Sequence, residues 1–162
     1  MKNKTIAISG GFDPIHIGHL QMIQGAAQHG SVIVILNSDA WLEQKKGYVF
    51  MPFEERKAIL EAFSDVHHVV SVDDSDGTVC AALDQLRPCY FGNGGDRVSD
   101  NVPEVKFCKR YGVGLKWNLG GDKIQSSSTL VTHAKDYDYK DGDLKHHNDP
   151  ENPFRLEIGG EG

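Results

Sequence analysis

His16 and His19 stand three positions apart in the segment GGFDPIHIGHL, Gly10 to Leu20. At that spacing on a helical turn two imidazoles lie on one side and can approach a single polyphosphate together. Each offers an N–H donor without carrying a permanent charge. Gly10 and Gly11 let the backbone turn sharply out of the apolar run before them, and a helix starting near Gly18 would present unpaired N–H groups to an anion. An isolated HxxH pair is more readily read as two ordinary surface histidines; the succession of apolar run, glycine turn and helix is what points to phosphate. A zinc reading lacks a third ligand at short spacing and an acid on the helix to serve as base.

A second cluster lies about 110 residues further on, in GDKIQSSSTLV, where Ser126, Ser127, Ser128 and Thr129 open a late helical pattern. Hydroxyls at a helix N-terminus add donors to the free backbone N–H groups and the positive end of the helix dipole, which together suit the β- and γ-phosphates of a nucleotide. Plain N-capping explains such a run as well. Its place after the last predicted strand gives it weight.

The elements that must position these groups read as an alternation of strands and helices. Apolar, β-rich runs fall at Thr5 to Ser9, Ser31 to Leu36, His67 to Val72, Cys89 to Gly92 and Val113 to Trp117. Helical patterns fall at Gly18 to Gln28, Pro52 to Phe63, Thr78 to Leu86, Val102 to Tyr111 and Ser127 to Lys135, with Pro52 in a first turn and Glu54 and Glu55 near the positive dipole end. Continuous runs such as VIVIL require cover on both faces. The expected fold is therefore α/β, a Rossmann-like, doubly wound parallel sheet in a three-layer α/β/α arrangement, with ligands at the carboxyl ends of its strands.

The segment Gly11-Phe12-Asp13 followed by His16-Ile17-Gly18-His19 resembles the HxGH signature of the cytidylyltransferase-like nucleotidyltransferase superfamily, and Ser126 to Thr129 resemble its second signature. Between them, LNSDAWLEQKKG, PFEERKAILEA and NGGD extend the resemblance over most of Thr5 to Ala134, and are most similar to the branch containing heptose-1-phosphate adenylyltransferase domains and glycerol-3-phosphate cytidylyltransferases. The resemblance implies transfer of AMP or CMP from ATP or CTP to a phosphorylated sugar or polyol, with Mg2+ shielding the triphosphate and pyrophosphate leaving. An acceptor phosphate oxygen would attack the α-phosphate directly, without a covalent enzyme intermediate.

By the same resemblance, His16, His19 and Lys46 are catalytic. Gly10, Gly11, Phe12, Gly18, Gly94, Gly95, Asp96, Lys123, Ser126, Ser127, Ser128 and Thr129 bind the nucleotide, and Asp13, Lys45, Lys46 and Arg56 serve the acceptor, Arg56 anchoring either a phosphate or the active-site loop. The chain departs from the family where Asp122-Lys123-Ile124-Gln125 precede the hydroxyls in place of a common arginine, and where Asn93 replaces a common lysine before Gly94-Gly95-Asp96. Nicotinate-mononucleotide and pantetheine-phosphate adenylyltransferases share the first motif and are the alternative enzymes. A catalytically idle nucleotide-binding regulator on the same fold is the alternative from another class. A class I aminoacyl-tRNA synthetase is excluded by the lack of a KMSKS-type loop and of room for an anticodon module.

With 162 residues the chain has the size of one domain, and its net charge of −6 gives no global field for nucleic acid or an anionic membrane, so phosphate binding must be local. The apolar run at the N-terminus is too short for a signal-peptide core or a membrane span, which implies a cytoplasmic protein. Cys80, Cys89 and Cys108 lack metal-type spacing and read as reduced structural thiols. From Asp136 the composition turns to Asp, Gly, Lys, Asn and Pro, dividing the chain into a nucleotidyltransferase domain at 1–135 and a flexible or loosely docked polar tail at 136–162. A homodimer is expected by resemblance.

Overall fold

The strands are short, and in the central ones side chains alternate between two covered faces. The computed structural model of the chain describes residues 3–94 and 102–136. Along it run β1 (Thr5–Gly10), α1 (Ile17–Ala27), β2 (Ser31–Leu36), α2 (Asp39–Lys46), α3 (Phe53–Glu61), β3 (Val66–Ser71), α4 (Cys80–Leu86), β4 (Tyr90–Gly94), α5 (Pro103–Tyr111), β5 (Gly114–Leu119) and α6 (Ser127–Asp136). All five strands are parallel, in the order β3-β2-β1-β4-β5. Ile6, Ile8, Val32 and Val34 meet Ile23 and Ala26 of α1 and Leu60 of α3 on one face, while Ala7, Ile35 and Phe91 meet Ala82 and Leu83 of α4 and Cys108 of α5 on the other. This period-2 division is what burial on both faces requires. The chain is a three-layer Rossmann-like α/β fold.

Two compact units divide the chain at Met1–Val131 and Thr132–Gly162. The first contains the whole sheet. Of the second, the described residues are Thr132 to Asp136, the end of α6. The proposed polar tail otherwise lies outside the described residues. Among the described residues no helix is long and apolar enough to cross a membrane.

The five expected strands and five expected helices all form, with two differences. A sixth helix, α2, occupies Asp39–Lys46, where Ser38 caps the N-terminus, Asp39 stands in the first turn, Lys45 and Lys46 in the last, and Gly47 closes it at φ 82°. Pro52 is the N-cap of α3, one position before the first turn, because its extended ψ of 156° cannot belong to a helix; Pro103 is the proline that takes a first-turn position, in α5. Cys89 is exposed, whereas Cys108 is buried and Cys80 half-buried. Burial pushes both of the latter thiols up, Cys108 to about 11, so neither is an activated nucleophile.

Candidate active site

The chain steps outward from β1 to β2 to β3 and then returns to the opposite side of β1 for β4, so the crevice beside the carboxyl ends of β1 and β4 is the place where an open parallel sheet binds ligands. A cleft of about 800 Å³ opens there, a size that holds a nucleotide-sized ligand. Gly10, Gly11, Phe12, His16, Gly18, His19, Lys45, Lys46, Gly94, Lys123, Ser126, Ser127 and Ser128 all line it. Gly95 and Asp96 lie outside the described residues.

Phe12 turns the chain out of β1 with φ 51°, a left-handed conformation uncommon outside glycine, and the following Asp13-Pro14 peptide is cis. His16 then caps α1 in extended conformation. Its Nδ1 accepts the Gly18 N–H at 3.0 Å, and His19 Nδ1 reaches back to accept the His16 N–H at 3.2 Å. The two histidines thus do reciprocally what a Ser/Thr and Glu do in an ordinary capping box. A ring nitrogen that accepts an N–H is unprotonated, so each neutral ring carries its proton on Nε2. The rings stack with centroids 3.9 Å apart, and Phe12 packs on His19 at 4.7 Å. Gly18 completes the motif because a Cβ there would sit 2.9 Å from the His16 ring.

Burial, then His16, then Lys46 hold His19 down to about 3. Burial also lowers His16, followed by the charges of Lys123 and Lys46. Both rings are therefore neutral donors at physiological pH, flanked by cations from α2 and from the β5–α6 loop. Lys46 is half-buried and itself lowered, chiefly by desolvation and against the pull of Asp13. Lys45 Nζ lies over the Trp41 ring, 4.6 Å from its centroid.

The hydroxyl run divides its work. Ser126 Oγ accepts the Thr129 N–H at 3.1 Å and lies 2.7 Å from Thr129 Oγ1, capping α6. Ser127 is buried and donates to the Pro14 carbonyl at 2.8 Å, fastening the start of α6 to the loop before His16. Ser128 is exposed on the cleft wall, and the N–H groups of Ser127 and Ser128, in the first turn, have no intrahelical acceptor. Thr129 is exposed and is not among the residues lining the cleft.

Asp13 and Arg56, expected at the acceptor, sit behind the cleft wall. Asp13 is fully buried, and its two oxygens accept the Phe50 and Met51 N–H groups at 2.6 Å each. Arg56, also fully buried, donates to the carbonyls of Met51, Gly11 and Asn37 and pairs with Asp39 at 2.6 Å. Fully buried and with four of its five N–H donors engaged by protein, Arg56 anchors the active-site loop rather than a phosphate, and its ion-pair partner is neither Glu54 nor Glu55.

Sequence reasoning missed several parts of the site. Trp41 and Asn37 line the cleft from the α2 side; Thr78, Val79 and Glu104 form its far wall, where Glu104 Oε1 accepts the Val79 N–H at 3.1 Å. Gly120 at φ 80° brings the β5–α6 loop against α1, where a Cβ would meet Gln21 and Met22 backbone at 2.7 Å. Ser38 before an acidic first turn, with Lys45-Lys46-Gly47 at the end, is the signal that could have revealed α2.

Comparison with known proteins decides the family. A cytidylyltransferase-like profile matches residues 7–136, from β1 to the end of α6. The chain belongs to the cytidylyltransferase-like family. That membership makes it a nucleotidyltransferase. The chain is 34% identical over 115 residues to the bifunctional protein HldE of Syntrophotalea carbinolica, covering 68% of this chain and 23% of that protein. It is 32% identical over 137 residues to HldE of Pseudomonas putida, covering 83% and 28%. The chain thus spans about a quarter of the length of the curated relatives it matches. Among solved structures, a lipopolysaccharide core biosynthesis protein from Thermoplasma volcanium shares the fold at TM-score 0.61 and 15% identity, over 72% of this chain and 96% of that one. A bifunctional NMN adenylyltransferase/ADP ribose pyrophosphatase from Francisella tularensis does so at TM-score 0.56 and 14% identity, over 81% and 42%.

Proposed function

We propose that the chain transfers AMP or CMP from ATP or CTP to a phosphorylated sugar or polyol and releases pyrophosphate. The observation that carries this reading is the pair of stacked, neutral histidines, each with Nδ1 engaged by backbone and Nε2 left to donate, between Lys46, Lys123 and the start of α6. An acceptor phosphate oxygen attacks the α-phosphorus in line with the departing pyrophosphate. His16 and His19 donate to phosphate oxygens as charge moves towards the bridging oxygen. Lys123, Ser128 and the first N–H groups of α6 hold the β- and γ-phosphates; Lys46, with Lys45 beside it, holds the acceptor phosphate. Catalysis is positioning and charge stabilisation.

Magnesium fits as a passenger on the triphosphate. Among the described residues no group of three or more His, Cys, Asp or Glu could hold a metal ion, and Mg2+ commonly takes most of its ligands from substrate phosphates and water. Bound there it would neutralise charge on the leaving pyrophosphate. A homodimeric, cytoplasmic protein is part of the same reading, supported by resemblance to the family branch.

The test is magnesium-dependent pyrophosphate release from ATP and CTP, each crossed with sugar 1-phosphates, glycerol 3-phosphate, nicotinate mononucleotide and phosphopantetheine. Release with a sugar or polyol phosphate is the expected result. Release with either of the last two acceptors instead would replace the acceptor, and silence across the panel would favour a noncatalytic nucleotide-binding protein.

A further inference from the structure

We propose that Asp74, in the loop between β3 and α4, is a positioning residue that fixes α2 and thereby sets Lys46 in the cleft. The inference rests on the reading of Lys46 as the acceptor-phosphate ligand. Asp74 is 6% exposed, and its carboxylate is engaged by three donors from the corner between β2 and α2. Oδ2 accepts Asn37 Nδ2 at 3.0 Å and the Ser38 N–H at 2.8 Å, while Oδ1 accepts Ser38 Oγ at 2.6 Å. Ser38 Oγ in turn accepts the Trp41 N–H at 3.1 Å, making the N-cap of α2. A relay therefore runs from the Asp74 carboxylate through the serine hydroxyl to the first turn of a helix whose last residue is Lys46.

Electrostatics and mechanics act together here. A carboxylate at the N-terminus of α2 and two lysines in its last turn both complement the helix dipole. The helix is eight residues long, so a tilt at its capped end is delivered to Lys46 roughly 12 Å away at 1.5 Å per residue. An eight-residue helix has little stability of its own and takes its direction from its ends and packing. Arg56, which binds Asp39 and the Asn37 carbonyl, holds the same corner from the side of α3. Asp74 supplies the opposite hold from the loop carrying Gly77 and Thr78, both of which line the cleft. The two walls of the cleft are thus joined at one buried carboxylate.

The experiment reads Lys46 without requiring turnover. Competitive acetylation with acetic anhydride across pH, followed by peptide mass spectrometry, gives a reactivity midpoint for each lysine. In the wild type the Lys46 midpoint should lie below that of Lys57, which is half-exposed on α3 beside Glu61. In Asp74→Ala it should rise towards the Lys57 value while Lys57 itself stays put; Ser38→Ala, which cuts the relay at its middle, should move Lys46 the same way and decides the matter if Asp74→Ala does not fold. An unchanged Lys46 midpoint in the folded variant overturns the proposal. With an active acceptor in hand, Asp74→Ala should lower acceptor kcat/KM by about 10- to 100-fold, yet by less than about 2-fold when made in Lys46→Ala, because the two changes share one route. Equal losses in both backgrounds also overturn it. If no acceptor turns over, the proposed function fails while acetylation still decides the role of Asp74.

Discussion

Removing the His19 imidazole should leave the fold in place and cost kcat about 100- to 1,000-fold, the usual effect of deleting one preorganised donor to a transition-state oxygen; steady-state pyrophosphate release by His19→Ala checks it. The same ring gives a pH signature. Its pKa is about 3 in the folded chain against an ordinary 6.5, so between those values the unfolded chain binds a proton that the folded chain does not. Its contribution is fully present above about 6.5 and is lost as pH falls towards 3, with a slope of up to about 1.4 kcal/mol per pH unit from this group. Urea unfolding at pH 5 and pH 7 should show a smaller difference for His19→Gln than for the wild type. The spacing of His16 and His19 was legible in the sequence because two identical side chains on one turn are visible as letters. Their tautomer was not, because it depends on which backbone N–H each Nδ1 meets. Asp13 was expected to serve the acceptor, but burial and the Phe50 and Met51 N–H groups make it a brace; for Arg56, burial and three backbone carbonyls select the loop-anchoring reading over the phosphate one.

At the scale of elements, the start of α6 is held in two ways with separable consequences. Ser127→Ala removes the bond to the Pro14 carbonyl and should cost about 1 kcal/mol, with nucleotide KM raised because the helix end loses its register against the His16 loop; calorimetry and kinetics check the two parts. Gly120→Ala places a Cβ at φ 80° and 2.7 Å from the backbone of α1, and should destabilise by about 2 kcal/mol or more, read as a lowered denaturant midpoint. Strands such as SVIVIL and helices with clear apolar periodicity were legible, since local pattern and tertiary burial agree there. α2 was not, because DAWLEQKK has one fully buried residue, Leu42, and is recognisable only by its caps. The strand order, and hence the crevice between β1 and β4, is set by how the crossovers pack and has no local signature.

For the whole molecule, a net charge of −6 coexists with a cleft bordered by Lys45, Lys46 and Lys123, so any attraction for phosphate there is local rather than a property of the net charge. A triphosphate bound there stabilises the folded state by mass action, about 2.7 kcal/mol at 100 times its Kd; of MgATP and MgCTP, the true donor should raise Tm and the other should not. The reaction assigned to the cleft turns on which phosphorus is attacked. Transfer from α-32P- and γ-32P-labelled nucleotide, run in parallel with the active acceptor, tests it directly. Nucleotidyl transfer predicts the α label in the acceptor product and the γ label in pyrophosphate, with both lost in His19→Ala; the γ label on the acceptor, or α label left in nucleoside diphosphate, would contradict the reaction assigned to this site.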